Sequence, residues 1–485
     1  MLKYILFFFI ILESLSIQLH GQVNLQKSVD YFISDPVNKN ASITIQIIDL
    51  DNDSILAKGN EFTSLMCAST AKLFSTSCAL KLLGNDYQAE TRLYMDGFVD
   101  SIGILQGDLW IRGGGDVSLG SKYFNQEGEE FEFMNHWLDS LKAHGIQGIN
   151  GRLIADASEF GYAGVPDGWD WSDMGNYYGV GASGINYFDN TLKYYFNTGK
   201  PGEKVQFLGT LPEIPDLFFQ HGIEAANIRK DYSYIYGSPF SNVRFGRGSL
   251  PAYKDSFCVK GSIPDPEMQL ARDFKSYLLD TGFVISGDAI ANRFLLTEHP
   301  SYDSLDFIFS YEGRSIIDIV NKTNLYSVNL FAEGLLNLVG YKFFGFGSTK
   351  SGISAVYKLI KNDVNLSGLS LKDGSGLSRK NAVSASHFCQ LLKGIYGTRM
   401  YEDFKGSLSV AGVKGTLKNV CRKQIGANRI FAKSGTLSNV KAYSGYVETQ
   451  SGKNLAFAVI ANNFNCSKSQ IVKKMEFIFN AMASY

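Results

Sequence analysis

Alternating hydrophobic and polar positions near the amino terminus predict a β-hairpin. Residues 41–58 read as two alternating strands joined by Asp51-Asn52-Asp53, a turn signal. Residues 69–83 follow with apolar side chains at helical spacing, and they open on Ser69, where a helix N-cap is expected. The first part of the chain therefore predicts a hairpin followed by a helix.

The carboxyl-terminal part of the chain repeats these element types. Residues 429–437, 442–450 and 454–464 have strand-like patterns, and residues 469–485 have a helical one. Strands from both ends of the chain flank helices, which indicates one α/β domain closed by both termini.

The region between about 93 and 300 predicts a long, mostly β insertion. It is rich in β-branched and aromatic residues, with glycine and proline between them. Strands are predicted within 106–120 and at 150–156, and residues 265–288 predict an amphipathic helix followed by a strand. A second helix is predicted at 329–344, after the insertion.

Length and composition describe a globular protein of more than one domain. At 485 residues the chain is longer than a single compact domain usually is, so two or three domains are expected. The sequence is 45% hydrophobic, 13% aromatic and 19% charged, which argues against disorder. The net charge of −1, without a basic block, does not favour nucleic acid as a partner.

The first 21 residues predict a secretory signal peptide. Lys3 precedes a continuous apolar run at 4–12, and Gly21 supplies a small residue at the cleavage edge. The run is too short to span a bilayer, so a membrane anchor is the weaker alternative and membrane association is at most peripheral. Cys67 is the first cysteine, so no lipoprotein anchor is indicated. We expect the mature chain to be periplasmic.

Six cysteines leave the disulfide question open for a secreted chain. Cys67 and Cys78 cannot pair if they share one helix, because eleven residues at ~1.5 Å rise place them roughly 16 Å apart, beyond the reach of a disulfide. Buried free thiols are the simpler expectation for most of the six.

Three short motifs occur in one order along the chain. They are Ser69-x-x-Lys72, Ser327-x-Asn329 and Lys433-Ser434-Gly435 followed by Thr436. The first pattern recurs at 438–441 and the third at 350–352, but only the ordered triple places them on a helix start, a turn into a helix and a strand. The recurrence at 350–352 is predicted to be a loop.

The Ser69–Lys72 spacing suits a serine nucleophile with a lysine base. Residues at i and i+3 share a helix face, and serine reacts only when a base removes its proton. Keeping a lysine neutral at pH 7 costs roughly 4–5 kcal/mol unless burial or a second cation favours that form; Lys433 is the expected second cation. The alternative is a serine N-cap with a solvated lysine one turn on.

The other two motifs supply a proton relay and a substrate strand. The Ser327 hydroxyl is expected to relay a proton to the leaving amine, and the Asn329 amide to fix Lys72 and a substrate carbonyl. Ser434, Gly435 and Thr436 are expected to bind an extended substrate along their strand. An ordinary helix N-cap is the alternative for Ser327.

Other chemistries find little support in the sequence. Six scattered histidines give no metal-ligand spacing, and Ser69 lies outside a G-x-S-x-G motif. We therefore expect no metal and no cofactor.

The triple and several longer segments resemble the low-molecular-mass class C penicillin-binding proteins, the D-alanyl-D-alanine carboxypeptidase/endopeptidase family. The longer segments are QGDLWIRGGGDVSL (106–119), GWDWSDMGNYYG (168–179), LKDGSGLSRKNAVS (371–384), LSVAGVKGTLK (408–418), AKSGTL and AYSGYV.

The resemblance implies an α/β, multi-domain fold, in which a transpeptidase/β-lactamase-like α/β domain is split by an insertion of two β-rich domains. The implied boundaries are the signal at 1–21, the catalytic domain at 22–92 and 301–485, domain II at 93–191 and 263–300, and domain III at 192–262.

The resemblance also implies a function and further site residues. It implies cleavage of the terminal D-Ala–D-Ala bond of peptidoglycan stem peptides, with β-lactams as covalent inhibitors. Asp173 would contact the amino end of the substrate's diamino acid side chain, with Tyr178 beside it, and Arg379 would lie at the cleft's rim. The alternatives are a turn residue for Asp173 and a surface charge for Arg379.

Two other functions remain as alternatives. A serine β-lactamase would share the acylation step, although its first two motifs are usually close together, whereas Ser69 and Ser327 are separated by more than half of this chain. A non-enzymatic cell-wall binding protein would not need the intact triple. The resemblance implies a carboxypeptidase that also acts as a D,D-endopeptidase on cross-links. The balance between the two activities, the oligomeric state and the third residue of the stem peptide stay open.

Overall fold

The computed structural model describes residues 25–295 and 300–485. The predicted signal peptide at 1–21 lies outside them. The chain forms two compact units. We call one the terminal unit, which holds the chain up to Lys81 with Val320–Ser327 and Val356–Tyr485; the inserted unit holds Leu82–Ile319 and Val328–Ala355.

Helical residues at 25–34 are followed, in the described part of the chain, by a series of strands and helices. The strands are β1 (Ser42–Asp49), β2 (Ile55–Gly59), β3 (Gln88–Val99), β4 (Ile104–Gly113), β5 (Gly148–Ile149), β6 (Leu153–Asp156), β7 (Thr191–Thr198), β8 (Gln206–Leu211), β9 (Phe218–Ala226), β10 (Tyr234–Tyr236), β11 (Val243–Pro251), β12 (Lys254–Ser262), β13 (Val284–Ile285), β14 (Ala289–Ala291), β15 (Asp306–Ser315), β16 (Ser409–Val410), β17 (Ile430–Leu437), β18 (Val440–Glu448) and β19 (Asn454–Asn462). The helices are α1 (Lys72–Leu83), α2 (Glu132–Ala143), α3 (Trp171–Met174), α4 (Pro266–Asp280), α5 (Ile316–Tyr326), α6 (Asn329–Phe344), α7 (Thr349–Ile360), α8 (Ala385–Ile395), α9 (Tyr401–Ser407) and α10 (Lys468–Ser484).

The terminal unit is built on one six-stranded sheet in the order β16-β17-β18-β19-β1-β2. β1 pairs antiparallel with β19, so that Ser42 lies opposite Asn462 and Asp49 opposite Leu455. β18 and β19 are buried over almost their whole length, because α8 packs on β19 and α10 packs on β18. The predicted closure of one α/β unit by both ends of the chain is confirmed.

The predicted hairpin and first helix are present, with one correction at the helix start. β1 and β2 pair antiparallel. A 3₁₀ turn at Ala68–Ala71 leads directly into α1, so Ser69 is the second residue of that turn and not an N-cap. Thr70 Oγ1 donates to the carbonyl oxygen of Cys67 at 2.6 Å, which fixes this turn.

The inserted unit is richer in strands. One sheet has the order β13-β5-β4-β3-β15, and in it β6 pairs with both β4 and β14. Two three-stranded sheets have the orders β10-β11-β9 and β12-β7-β8. The predicted helix after Asp265 is α4, whose first turn Asp265 caps. α2 was not among the predicted elements; its apolar side chains include the fully buried Trp137. The further division into domains II and III stays a prediction.

All six cysteines are free, and Cys67, Cys78, Cys389 and Cys421 are buried. The expectation of buried free thiols is therefore confirmed for four of them. Across residues 25–295 and 300–485, no helix is both long enough and apolar enough to cross a membrane.

Candidate active site

Ser69 and Lys72 form a hydrogen-bonded pair at the start of α1. Lys72 Nζ donates to Ser69 Oγ at 3.0 Å and to the carbonyl oxygen of Ser375 at 2.7 Å. Lys72 is fully buried, whereas Ser69 is partly exposed. The Ser69 hydroxyl is thus accessible while its lysine neighbour is held in place.

The backbone around Ser69 is tightly constrained. Ala68 adopts a left-handed conformation with φ of 48°, which is uncommon for a residue with a side chain. A Cβ on Gly435 would lie 2.5 Å from the Cys67 carbonyl oxygen, and one on Gly376 would lie 1.9 Å from the Ala68 carbonyl oxygen. These glycines let β17 and the loop at 373–378 approach the serine closely.

A buried carboxylate holds that loop. Asp373 is 2% exposed and accepts from the backbone N–H groups of Gly376 and Ser378 at 2.8 and 2.6 Å. Asn381 Nδ2 adds a third bond to it at 2.8 Å. Asp373 therefore fixes the loop whose Ser375 carbonyl contacts Lys72. Arg379 follows on the same loop and is exposed.

The third motif brings a second lysine to the second motif. Lys433 Nζ donates to Ser327 Oγ at 2.8 Å and to the Ser434 carbonyl oxygen at 3.0 Å. Lys433 is fully buried. Burial first, and the charges of Lys72 and Lys441 second, hold the pKa of Lys433 well below its usual range. Two lysines and two serines therefore share one electrostatic environment in the terminal unit.

Ser327 lies on strained backbone. Its φ is 62°, in the left-handed region, and Val328, not Ser327, is the cap residue of α6, without a side-chain capping bond. The alternative that Ser327 is an ordinary N-cap is therefore wrong. Its hydroxyl is directed to Lys433 instead, and backbone strain of this kind is found at functional sites.

A chain of hydroxyl groups supports the strand of the third motif. Ser434 Oγ donates to Thr416 Oγ1 at 2.8 Å, and Thr416 Oγ1 lies 3.2 Å from Ser409 Oγ. Thr416 belongs to the 408–418 segment, from which no site residue was predicted. Lys414, in the same segment, donates to the Gly406 carbonyl oxygen at 2.9 Å.

β17 leaves part of one edge open. β16 pairs with β17 only at Phe431 and Ala432. Among the described strands of this sheet, none pairs with that edge of β17 from Lys433 to Leu437. An open edge of this kind can accept an extended peptide as an additional strand. From the sequence we also predict that the backbone N–H groups of Ser69 and Thr436 form an oxyanion hole for the substrate carbonyl.

Asp173, Tyr178 and Asn329 lie together in the inserted unit. Tyr178 Oη donates to Asp173 Oδ1 at 3.2 Å, and Asn329 Nδ2 donates to the Tyr178 carbonyl oxygen at 2.7 Å. Burial first and the Asp173 carboxylate second raise the pKa of Tyr178 above its usual range. The predicted helix at 329–344 is α6, which Asn329 begins. The chain passes from the terminal to the inserted unit between Ser327 and Val328.

Neither recurring copy has the secondary structure of the motif that it repeats. Ser438 lies in the turn between β17 and β18. Lys350 and Ser351 lie in the first turn of α7 and not in the predicted loop. In the part of the chain that the structure describes, no group of three or more histidine, cysteine or acidic side chains is arranged to hold a metal ion.

The chain matches a family model and several curated proteins over most of its length. The model of the D-Ala-D-Ala carboxypeptidase 3 (S13) family matches residues 25–482. The D-alanyl-D-alanine carboxypeptidase of Actinomadura sp. strain R39 is 26% identical over 454 residues, which cover 90% of this chain and 81% of that protein. The D-alanyl-D-alanine carboxypeptidase DacB of Haemophilus influenzae is 25% identical over 424 residues, 86% of this chain and 84% of that protein.

Solved structures share the fold. The crystal structure of penicillin-binding protein 4 (dacB) from Haemophilus influenzae aligns with a TM-score of 0.78 and 22% identity, covering 92% of this chain and 97% of that one. The same protein complexed with a β-lactam aligns with a TM-score of 0.71 and 21% identity, over the same shares of the two chains. The multi-domain α/β fold expected from the sequence is the fold of these structures.

Proposed function

Because the chain belongs to the S13 family of D-Ala-D-Ala carboxypeptidases, we propose that it cleaves the terminal D-Ala–D-Ala bond of peptidoglycan stem peptides through an acyl-enzyme on Ser69. The enzyme is a serine-type carboxypeptidase. The observation that carries the proposed site is the 3.0 Å hydrogen bond between Ser69 Oγ and the buried Lys72 Nζ.

The proposed reaction has two steps. Neutral Lys72 accepts the Ser69 proton as Ser69 Oγ attacks the carbonyl carbon of the penultimate D-Ala. The C–N bond then breaks, and the departing amine of the terminal D-Ala receives a proton through Ser327, which Lys433 contacts at 2.8 Å. In the second step water attacks the ester, Ser69 regains its proton, and the shortened peptide leaves.

The open edge of β17 supports an extended mode of substrate binding. A stem peptide pairing with the strand at Ser434, Gly435 and Thr436 would place its penultimate carbonyl near Ser69, since Gly435 approaches the Ser69 backbone closely. The same mode admits a cross-linked peptide, so we include D,D-endopeptidase action in the proposal. Asp173, Tyr178, Arg379 and the Asn329 amide are proposed to contact the substrate.

The proposal also covers partners and compartment. β-Lactams would acylate Ser69 as substrate analogues; a β-lactam complex is known for the similar Haemophilus influenzae protein. Peptidoglycan lies outside the inner membrane, which agrees with the predicted signal at 1–21 and a periplasmic location. The proposed chemistry uses only side chains of the protein and requires no cofactor, metal or nucleic acid.

Mass spectrometry tests the proposed nucleophile directly. After incubation with a penicillin, we expect the intact protein to gain the mass of one antibiotic molecule. Proteolysis should then place the adduct on the peptide that contains Ser69. An adduct on another peptide, or no adduct under conditions in which a known penicillin-binding protein is labelled, would refute the proposed acyl-enzyme.

Asp173 is expected to govern the choice among peptide substrates. Replacing Asp173 with alanine removes a carboxylate that would bind the free side-chain amine of the stem peptide, a charged hydrogen bond worth about 1.5–3 kcal/mol. We expect kcat/KM for an amine-bearing stem peptide to fall about 10- to 150-fold relative to acylation by a penicillin that lacks the amine.

The control for this experiment is Asp255→Ala, which removes an exposed carboxylate of the same unit and should leave the ratio of the two rates unchanged. If Asp173→Ala slows both reactions equally, Asp173 is structural; if it slows neither, the insertion does not recognise the substrate through this residue.

A further inference from the structure

Lys441 is a buried lysine beside the substrate strand of the proposed site. It is 9% exposed, and its Nζ donates to Thr436 Oγ1 at 2.8 Å. Among the ion pairs of residues 25–295 and 300–485, none includes Lys441. A buried ammonium without a counter-ion is costly, so a protein that keeps one commonly uses it at a functional site.

The surroundings of Lys441 are polar, aromatic and cationic. Its Nζ lies 4.6 Å from the centre of the Tyr443 ring. Burial first and the charge of Lys468, at the start of α10, second lower the pKa of Lys441 to about 8. The charge of Lys441 in turn lowers the pKa of Lys433 on β17. At pH 7 the Lys441 side chain is therefore mainly protonated, and Lys468, the charged residue that affects its pKa, is also positive.

The sheet register directs Lys441 to the substrate-binding residues. Lys441 lies directly opposite Thr436 across the β17–β18 pair, so the two side chains share a face of the sheet. Ser434 shares that face, because side chains alternate along a strand. Thr436 is exposed. Its hydroxyl oxygen accepts the lysine bond, which leaves its hydrogen available to an acceptor from solvent.

We propose that Lys441, acting together with Thr436, recognises the carboxylate that the substrate bears on the carbon next to the scissile nitrogen. This inference rests on the proposed function and adds a specificity-determining residue to it. The arriving carboxylate would accept the Thr436 hydrogen and supply the counter-charge that Lys441 lacks. The sequence alone gave no reason to select Lys441, which is the fourth residue of the unused S-x-x-K copy at 438–441.

The test compares two peptides that differ only in this carboxylate. One ends in D-Ala–D-Ala with a free carboxylate, and the other is its C-terminal amide. We expect Lys441→Met, which keeps an apolar side chain over Tyr443, to lower the acid-over-amide ratio of kcat/KM about 10- to 100-fold, as for a lost charged hydrogen bond. The matched control is Lys473→Met, at an exposed position of α10, and it should leave the ratio at the wild-type value.

Two outcomes would overturn the inference while leaving the proposed function intact. Either the ratio is unchanged in Lys441→Met although Ser69 is still acylated, or both substrates lose activity equally, which marks Lys441 as structural. Failure of the proposed function would look different, because wild-type Ser69 would then be acylated by neither peptide.

A pH profile provides a second measurement that does not depend on the folding of a variant. In the wild type the acid-over-amide ratio should be high below pH 8 and fall above it, since Lys441 loses its charge near its pKa of about 8. Lys441→Arg stays protonated, so it should keep a high ratio to higher pH. A wild-type ratio that does not change between pH 6.5 and 9.5 would contradict the proposal.

Discussion

Replacing Ser69 with alanine is expected to abolish covalent labelling by penicillin and hydrolysis of D-Ala–D-Ala peptides, with the fold retained. The variant lacks Ser69 Oγ, the proposed nucleophile, which accepts a hydrogen bond from Lys72 Nζ at 3.0 Å. Loss of a catalytic nucleophile can remove a factor on the order of 10⁶ in rate. The measurement is fluorescent penicillin labelling at matched protein concentration, with circular dichroism as the check of folding.

The chain offers a matched control for that experiment. Ser438 opens the second S-x-x-K copy but lies in the turn between β17 and β18, so Ser438→Ala should be labelled as the wild type is. Undiminished labelling of a folded Ser69→Ala variant would end the proposal that Ser69 is the nucleophile.

Replacing Lys72 with arginine is expected to lower the acylation rate by about 10²–10⁴, the usual contribution of general base catalysis. Arginine keeps the positive charge and can still donate to the Ser375 carbonyl oxygen, but it stays protonated and cannot accept the Ser69 proton. The loss should therefore appear in the acylation rate constant, measured by stopped-flow or quenched labelling at saturating penicillin.

Lys81→Arg is the control for this substitution. Lys81 lies on the same helix and donates to the Leu359 carbonyl oxygen and to Asp363, so an equivalent change there tests the general effect of arginine on α1. A loss of less than about tenfold in Lys72→Arg would contradict a base role for Lys72, since the smallest usual contribution is 10².

Much of the terminal unit could be predicted because its signals are local. The turn at Asp51–Asp53 and the apolar run of β19 are each encoded within about a dozen residues. The helix of Ser69 was also predicted, but its N-cap assignment was wrong. In the structure, Ala68 is buried and Thr70 donates to the Cys67 carbonyl oxygen, which accompanies a 3₁₀ turn at Ser69. The sequence pattern around a serine does not distinguish an N-cap from a position inside such a turn.

The supporting residues of the site could not be predicted because they act over long sequence separations. Asp373 fixes the loop whose Ser375 carbonyl oxygen contacts Lys72, and Ser375 and Lys72 are 303 positions apart in the sequence. Nothing in the sequence around Asp373 distinguishes it from other loop aspartates. Thr416 and Lys441 likewise depend on strand neighbours and on register, which no single segment specifies. The three motifs were found because their residue types and order are specific, while the residues around them become visible only in the fold.

The pairing of β1 with β19 also bears on how the protein forms during synthesis. β1 is made before the inserted unit, yet its partner β19 is made after it. The inserted unit, by contrast, is complete once Ala355 has been made. Because domains generally fold as units as the chain emerges, the inserted unit can fold before the central sheet closes. Ser69 is therefore made 364 residues before Lys433, and a nascent chain can form its proposed catalytic site only after β17 has been made.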